Sequence, residues 1–295
     1  MTKLFKGGNY LQYKDLKLKD GSTFPKLGLG SWNLGDDPSR FEEEKAAIRA
    51  GINEGIYLID TAEMYGNGLS EELVGAAIKG LNRDELYLVS KVLPENAGGN
   101  KLEASLDASL KRMGTDYLDM YLYHWRGQYP LAETVERLED MVRKGKILRW
   151  GVSNFDTADM KELLSLPAGK NCMVNQVLYH LGSRGIEYEL LPFLKEEGIP
   201  VMAYCPLAQA GSLKGKLVDN PVLKEVASAY GITVMQLLLA FVMRMENVSA
   251  IPKSGKKSHV IANARVRDIY LSDEDYKRVS DEFPAPTSKV RLDVV

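Results

Sequence analysis

Short apolar runs alternate with amphipathic stretches along most of the chain. Residues 13–29 alternate polar and apolar positions around an Asp20-Gly21 turn, a pattern that predicts a β-hairpin. Further strand-like runs end at residues 60, 91, 124, 153, 176, 204 and 251. Several of these runs are almost continuously apolar, which is typical of parallel strands that are buried on both faces. Between them, apolar residues recur with helical spacing over residues 42–54, 102–112, 131–144 and 234–244.

The spacing of these elements predicts an α/β fold, namely a (β/α)8 TIM barrel whose floor is covered by the N-terminal hairpin. With a short strand at residues 26–30, the chain has eight strands, and eight units of about 30 residues build such a barrel. No linker or low-complexity tract interrupts the sequence, so we expect one domain over residues 1–295. A two-domain Rossmann protein would need G-x-G-x-x-G between a strand and a helix. The nearest candidates, at residues 28–30 and 66–68, each lack the third glycine.

Composition narrows the class of protein. The formal net charge is −2, and the basic residues are scattered, which argues against nucleic acid as a partner. Two cysteines in 295 residues favour a reduced, cytoplasmic protein. The apolar stretch at residues 232–243 is shorter than the roughly 20 residues that span a bilayer, and the N-terminus lacks the apolar region of a signal peptide, so no membrane partner is expected. A monomer or a weak oligomer is expected.

Four ionisable residues lie at or just beyond the ends of neighbouring predicted strands. Asp60, Lys91 and His124 end three consecutive strands, and Tyr65 lies in the loop after Asp60. Any one of them alone would more often be structural. Barrel enzymes, however, carry out chemistry where strands end in loops, so this convergence predicts a catalytic site. A buried Lys91 would require a carboxylate, which Asp60 can supply.

This set of residues suits the reduction of a carbonyl group. Hydride arriving at the carbonyl carbon leaves negative charge on the oxygen, which then needs hydrogen-bond donors and a proton. Tyr65 is the predicted proton donor. Its phenol has an ordinary pKa of about 10, and we expect the Lys91 cation to lower that pKa and ease release of the proton. His124 is expected to be a second donor to the oxygen.

The same residues carry a family resemblance. Asp60-Thr-Ala-x-x-Tyr65-Gly66, Ser90-Lys91 and His124 resemble the catalytic tetrad of the aldo-keto reductases, and further motifs extend the resemblance over nearly the whole chain. It implies NADPH-dependent reduction of aldehydes and ketones to alcohols. The segments at residues 95–99 and 179–188 resemble the bacterial methylglyoxal-reductase-like branch, which implies small 2-oxoaldehydes as substrates.

The resemblance also implies a set of cofactor-binding residues. They are Gly30, Ser31, Trp32, Ser153, Asn154, Gln176, Tyr204, Pro206, Leu207, Ala208, Gly211, Ser212, Lys253, Ser254, His259 and Asn263. Ser153, Asn154 and Gln176 would hold the nicotinamide amide, and Tyr204 would stack on its ring. Small residues at 208–213 would let the backbone approach the pyrophosphate.

The segment that would bind the 2′-phosphate departs from the family pattern. Lys253 and Ser254 fit this phosphate, but the arginine and glutamate that the family often has at positions 259 and 262 are replaced by His259 and Ala262. Without that arginine a bidentate phosphate partner is missing. The sequence therefore predicts NADPH as the cofactor, with NADH as an alternative.

The substrate pocket and the class of activity leave alternatives open. Trp32 and Trp125 flank the predicted site and would form an apolar substrate wall, although ordinary packing explains them as well. The tail at residues 284–291 is expected to be irregular and to border the pocket. A cofactor-binding, redox-sensing regulatory module of the same fold, with little turnover, is the alternative function. A metal site is not expected, because the three histidines have no metal-binding spacing.

Overall fold

A computed structural model describes residues 13–208 and 212–294 of the chain. The N-terminal segment forms an antiparallel pair, β1 (Leu16–Lys17) and β2 (Thr23–Phe24), joined by a turn in which Gly21 has a φ of 81°. Glycine adopts this left-handed conformation without a steric cost. The pair matches the predicted hairpin.

Eight parallel strands follow in chain order around a single sheet. They are β3 (Gly28–Gly30), β4 (Leu58–Asp60), β5 (Tyr87–Val92), β6 (Met120–Tyr123), β7 (Trp150–Ser153), β8 (Asn175–Leu178), β9 (Val201–Tyr204) and β10 (Val248–Ala250). Parallel bridges from Leu27 to Ala250 and from Gly30 to Lys253 join the first barrel strand to the last. The predicted (β/α)8 barrel is thereby confirmed.

Helices cover the outside of the sheet. They are α1 (Phe41–Asn53), α2 (Leu69–Ile78), α3 (Lys101–Met113), α4 (Leu131–Arg143), α5 (Thr157–Ser165), α6 (Leu190–Glu196), α7 (Ser212–Asp219), α8 (Pro221–Ala229), α9 (Val234–Met243), α10 (Lys257–Ala264) and α11 (Asp273–Glu282). The four helical stretches expected from periodicity correspond to α1, α3, α4 and α9, each within a residue at either end. Three helices occupy the long interval between β9 and β10. β8 runs two residues beyond the expected end at residue 176, because Val177 and Leu178 continue the pairing with β9.

The hairpin closes the bottom of the barrel. Leu16, Leu18 and Phe24 are buried in one cluster with the residues that point into the barrel. Phe24 also meets the Tyr87 ring edge-on, with the ring centroids 5.3 Å apart, at the start of β5. With the floor filled by apolar side chains, the accessible polar residues of the barrel are those at the opposite end, where the strands finish.

Two apolar layers fix the strands. Inside the barrel, side chains such as Val89, Leu122 and Met202 pack against one another. Outside it, a larger layer fills the space between sheet and helices, and the predicted stripe Leu106, Leu110 belongs to it. Close packing on both faces leaves the strand ends little freedom to shift, so residues placed there are held rigidly.

Within the described ranges, no single helix is long and apolar enough to cross a bilayer. The helices α8 and α9 satisfy the criterion of length and composition only when taken together, and they are bent by 83° relative to each other. The residues of α9 from Leu237 to Met243 are all buried within the protein.

Candidate active site

The four predicted catalytic residues lie together at the carboxyl end of the barrel. Asp60 is the last residue of β4, Lys91 lies one residue before the end of β5, and His124 directly follows β6. Tyr65 reaches the same place from the loop after β4 and stands edge-on to His124, with the ring centroids 5.9 Å apart.

Lys91 is the centre of this arrangement. Its Nζ donates hydrogen bonds to Asp60 Oδ2 at 2.8 Å, to the Thr61 carbonyl at 2.7 Å and to the Tyr65 hydroxyl at 3.0 Å. An ammonium group has three N–H bonds, so all three are used. Lys91 and Asp60 are almost wholly inaccessible to solvent, at 0% and 3% side-chain exposure.

The loop after Tyr65 turns through three consecutive left-handed residues. Gly66, Asn67 and Gly68 have φ values of 57°, 52° and 96°. Glycine and asparagine are the residues that tolerate this region. A Cβ at Gly66 would lie 2.3 Å from Asp36 Oδ1, so a side chain there would also displace the Asp36 carboxylate. The loop can therefore turn sharply after Tyr65 and present its ring to the barrel mouth.

Burial works against charge on both members of the Lys91–Asp60 pair. It lowers the pKa of the Lys91 ammonium and raises the pKa of the Asp60 carboxyl, and the attraction between the two opposes both shifts. Gln176 Nε2 donates a further hydrogen bond to Asp60 Oδ1 at 2.8 Å. Because oxygen acceptors surround Nζ and two donors hold the carboxylate, we assign the pair to its charged form.

The pKa of Tyr65 differs from the expectation. Burial raises it well above its ordinary value, and the Asp60 carboxylate adds to the rise. The expectation that Lys91 lowers this pKa is wrong, because burial outweighs the lysine and Lys91 is paired with the Asp60 carboxylate. The phenol is therefore fully protonated near neutral pH, which is the form that a proton donor requires.

His124 is held as the neutral imidazole. Burial lowers its pKa to about 2, and the Lys91 cation acts in the same direction. Its Nδ1 is buried and has no hydrogen-bond partner among the described residues. A neutral imidazole carries one proton, and a buried N–H without an acceptor is costly. Placing the proton on Nε2 is thus favoured, so that this nitrogen can donate into the cleft.

A cleft at the barrel mouth brings many of the predicted cofactor and substrate residues together. Its lining is Gly30, Ser31, Trp32, Asp60, Met64, Tyr65, His124, Trp125, Ser153, Asn154, Gln176, Tyr204, Cys205, Ile251 and Lys253. Sequence reasoning missed Met64, Cys205 and Ile251. Met64 and Cys205 stand directly beside predicted residues, so adjacency to Tyr65 and Tyr204 could have identified them.

The amide-bearing part of the cleft fits a carboxamide. Asn154 Nδ2 donates to the His124 carbonyl and to Ser153 Oγ, both at 3.2 Å, and its Oδ1 accepts from the Tyr204 hydroxyl at 2.9 Å. The Ser153 hydroxyl donates to the Gln176 backbone carbonyl, and Gln176 Nε2 donates to Asp60 and Met202. What these side chains offer directly to a carboxamide is therefore acceptor oxygens at fixed positions. Gly30 also lines the cleft, and a Cβ there would lie 2.8 Å from the Ile251 carbonyl oxygen. The N–H bonds of a carboxamide are thus matched by acceptors among the residues present.

Backbone strain is concentrated at the edge of this cleft. Asn154, Cys205 and Ala208 adopt left-handed φ values of 58°, 51° and 58°. For residues other than glycine this conformation is unfavourable, and it is found preferentially at functional sites. The strained loop after β9 also includes Pro206 and Leu207, whereas Gly211 and the Ser212 side chain lie outside the described residues.

The predicted phosphate-binding turn follows β10. Lys253 and His259 are exposed, Ser254 is half-buried, and Asn263 is buried within α10. The Ser254 hydroxyl accepts a hydrogen bond from the Lys256 backbone N–H at 3.2 Å, which fixes the turn at the start of α10. In the described part of the chain Lys253 forms no ion pair, so its charge is available to an anion.

Aromatic and apolar side chains border the opposite side of the cleft. Trp32 is 39% exposed and Met64 is 44% exposed, values that are high for large apolar side chains. Trp125 packs on His124, with the ring centroids 4.6 Å apart. The described C-terminal tail does not line the cleft as expected; Lys289 instead pairs with Glu189 at 2.9 Å. No group of three or more potential metal ligands occurs within the described residues.

Comparison with known proteins defines the class. The model of the aldo/keto reductase family matches residues 26–281. The chain belongs to the aldo/keto reductase family, a family of oxidoreductases.

Among the relatives, methylglyoxal reductase YeaE of Escherichia coli is 50% identical over 285 residues, which cover 97% of this chain and 100% of that protein. Glyoxal reductase of Bacillus subtilis is 38% identical over 266 residues, which cover 90% and 91% of the two chains. The crystal structure of an aldo/keto reductase from Klebsiella pneumoniae in complex with NADP and acetate is 51% identical and covers 96% of this chain and 99% of that one, with a TM-score of 0.93.

Proposed function

We propose that the protein reduces aldehydes and ketones to alcohols with NADPH, with Tyr65 as the proton donor and small 2-oxoaldehydes such as methylglyoxal as substrates. The observation that carries this proposal is the hydrogen bonding of Lys91. Its Nζ donates to the Tyr65 oxygen at 3.0 Å and is otherwise saturated by Asp60 and Thr61. The phenol oxygen accepts from Lys91, so its own O–H remains to be donated to a carbonyl oxygen in the cleft.

NADPH, when bound, supplies the hydride for the carbonyl carbon. Residues of the chain bind the cofactor, hold the substrate oxygen and supply the proton. Ser153, Asn154 and Gln176 orient the carboxamide, and Lys253 with Ser254 meets the 2′-phosphate. The Tyr65 hydroxyl and His124 Nε2 donate hydrogen bonds to the substrate oxygen and stabilise the negative charge that develops there. The Tyr65 proton passes to that oxygen, and Lys91 stabilises the phenolate that is left.

The borders of the cleft favour uncharged carbonyl compounds. The cation nearest the reacting position, Lys91, is buried and neutralised by Asp60. Trp32, Met64 and Trp125 provide apolar surface rather than a partner for a carboxylate. The names of the relatives from E. coli and B. subtilis, methylglyoxal reductase and glyoxal reductase, agree with this class.

A panel of carbonyl compounds tests the proposal. The loss of reduced nicotinamide absorbance is followed with NADPH and methylglyoxal, glyoxal, simple aldehydes, sugars and steroids. We expect turnover of the 2-oxoaldehydes. Good turnover of steroids or sugars without turnover of methylglyoxal would refute the substrate class. Tight NADPH binding without oxidation by any compound would favour the regulatory alternative.

The expected dependence of kcat/KM on pH follows from the two proposed hydrogen-bond donors, Tyr65 and His124. A proton donor is lost as pH rises through its pKa, and burial places the pKa of Tyr65 well above its ordinary value. His124, with a pKa of about 2, stays neutral. We therefore expect kcat/KM for an aldehyde to show no inflection near pH 6.5, the ordinary value for histidine. An inflection there that disappears in His124→Asn would show that His124 titrates normally.

Restoring an arginine at position 259 should strengthen discrimination between the cofactors. His259 is exposed at the start of α10, where a guanidinium could pair with a phosphate held by Lys253 and Ser254. We expect His259→Arg to lower the Kd of NADPH a few-fold and to leave that of NADH nearly unchanged. Fluorescence titration measures both constants, and equal effects would place position 259 away from the 2′-phosphate.

A further inference from the structure

Glu63 lies between Asp60 and Tyr65 in the sequence. Its carboxylate accepts hydrogen bonds that link the loop after β4 to the loop after β5. One carboxylate oxygen accepts hydrogen bonds from the Leu93 backbone N–H at 2.7 Å and from Asn96 Nδ2 at 3.0 Å. The other accepts from the Ser105 hydroxyl. None of these contacts belongs to the reaction described above.

The partners of Glu63 belong to two further elements. Leu93 and Asn96 lie in the loop after β5, the strand that carries Lys91. Ser105 is a buried residue of α3. The Glu63 carboxylate thus links the loop after β4, which carries Tyr65, to the loop and helix after β5, the strand that carries Lys91.

The catalytic ring needs such an anchor. At its tip the Tyr65 oxygen is held by Lys91, and at its backbone the Tyr65 N–H donates to the Ala62 carbonyl at 3.0 Å. On one side the chain enters the left-handed turn at Gly66, and on the other Met64 is exposed. Within this loop, Glu63 is the side chain that bonds to the loop after β5 and to α3.

We propose that Glu63 is a positioning residue that sets the place of the Tyr65 hydroxyl relative to Lys91 and to the substrate oxygen. The proposal rests on the proposed function. A displacement of about 1 Å at a reacting group can cost about 100-fold in rate. Two hydrogen bonds to carboxylate from the neighbouring loop, together with one from α3, restrain displacements of this size.

Variants of Glu63 test the proposal, with Glu133 as a matched control. Glu133 Oε1 accepts from the Gly99 N–H at 2.9 Å, so it also holds a backbone amide after β5, but it does not touch the Tyr65 loop. We expect Glu63→Ala to lower kcat by about 10- to 100-fold, with little change in the KM for the aldehyde or the Kd of NADPH. Glu63→Gln should recover much of kcat, because its amide oxygen can still accept from Leu93.

Hydrogen–deuterium exchange provides a readout that does not need turnover. Peptides covering residues 61–68 should exchange faster in Glu63→Ala than in wild type, whereas in Glu133→Ala they should exchange as in wild type. If Glu63→Ala does not fold, Glu63→Gln and the exchange of the same peptides carry the test, with faster exchange and a reduced kcat expected.

Two results would overturn the proposal. One is a Glu63→Ala enzyme with wild-type kcat and wild-type exchange. The other is an equal loss of kcat in Glu133→Ala, which would assign the effect to the loop after β5 as a whole. If wild-type protein reduces no carbonyl compound, the proposed function fails instead, and unchanged exchange in Glu63→Ala would then reject the positioning role separately.

Discussion

Replacing Tyr65 with phenylalanine is expected to reduce kcat by about 10²- to 10⁴-fold, the range that general acid catalysis contributes. The substitution removes a single oxygen. That oxygen accepts a hydrogen bond from Lys91 and is the proposed source of the proton. His124 can still donate to the substrate oxygen, so a residual rate is expected, but its pKa of about 2 leaves it neutral and without a second proton to give easily.

Binding of the cofactor should be nearly unaffected by Tyr65→Phe, since the residues proposed to hold its amide and phosphate lie on other loops. Single-turnover reduction of methylglyoxal gives the chemical rate, and fluorescence titration gives the Kd of NADPH. Tyr121→Phe is the matched control: this buried tyrosine lies on β6, two strands away from β4, and does not line the cleft. Turnover near the wild-type level in Tyr65→Phe would reject the role of the phenol.

The sequence predicted the barrel because strand spacing and burial on both faces are local properties that recur eight times. The same regularity predicted that Asp60, Lys91 and His124 meet at one end of the barrel, since each lies within one residue of the end of its strand. Because the strands are short and buried, few of their ends were ambiguous in the sequence. Two strands continue past their expected ends: β5 by one residue, Val92, and β8 by two, because Val177 and Leu178 are as apolar as the strand itself.

The shifts in pKa and the contacts between loops could not be predicted from the sequence in this way. The direction of the pKa shift at Tyr65 depends on how deeply the ring is buried and on how completely Asp60 neutralises Lys91, and both are properties of the folded chain. Likewise, Glu63 occupies one of the two unspecified positions of the Asp60–Gly66 motif, and its partners lie some 30 to 42 residues away in sequence. Motif reasoning therefore named the candidate reacting groups but not Glu63, whose carboxylate bonds their loops to each other.

Variants of the Lys91–Asp60 ion pair are expected to affect stability and activity differently. Lys91→Met removes the charge that faces Asp60 in a region with almost no solvent exposure. Removing one partner of a buried pair typically costs about 3–5 kcal/mol, because the remaining charge is left uncompensated. We expect a loss of this order in the free energy of unfolding measured with urea, together with loss of turnover, because the Tyr65 phenolate would lose its stabilising cation.

Adding Asp60→Asn to Lys91→Met should restore most of the lost stability, since no buried charge then remains, but it should restore no activity. This opposition distinguishes a catalytic Lys91–Asp60 pair from a purely structural one, for which recovery of the fold would bring recovery of the rate. The surface pair of Lys277 and Asp281 on α11, exposed at 74% and 61%, serves as control, and Lys277→Met should change neither quantity appreciably. A Lys91→Met protein as stable as wild type would show that the ion pair contributes no net stability, and the expected separation of stability from activity would then be wrong.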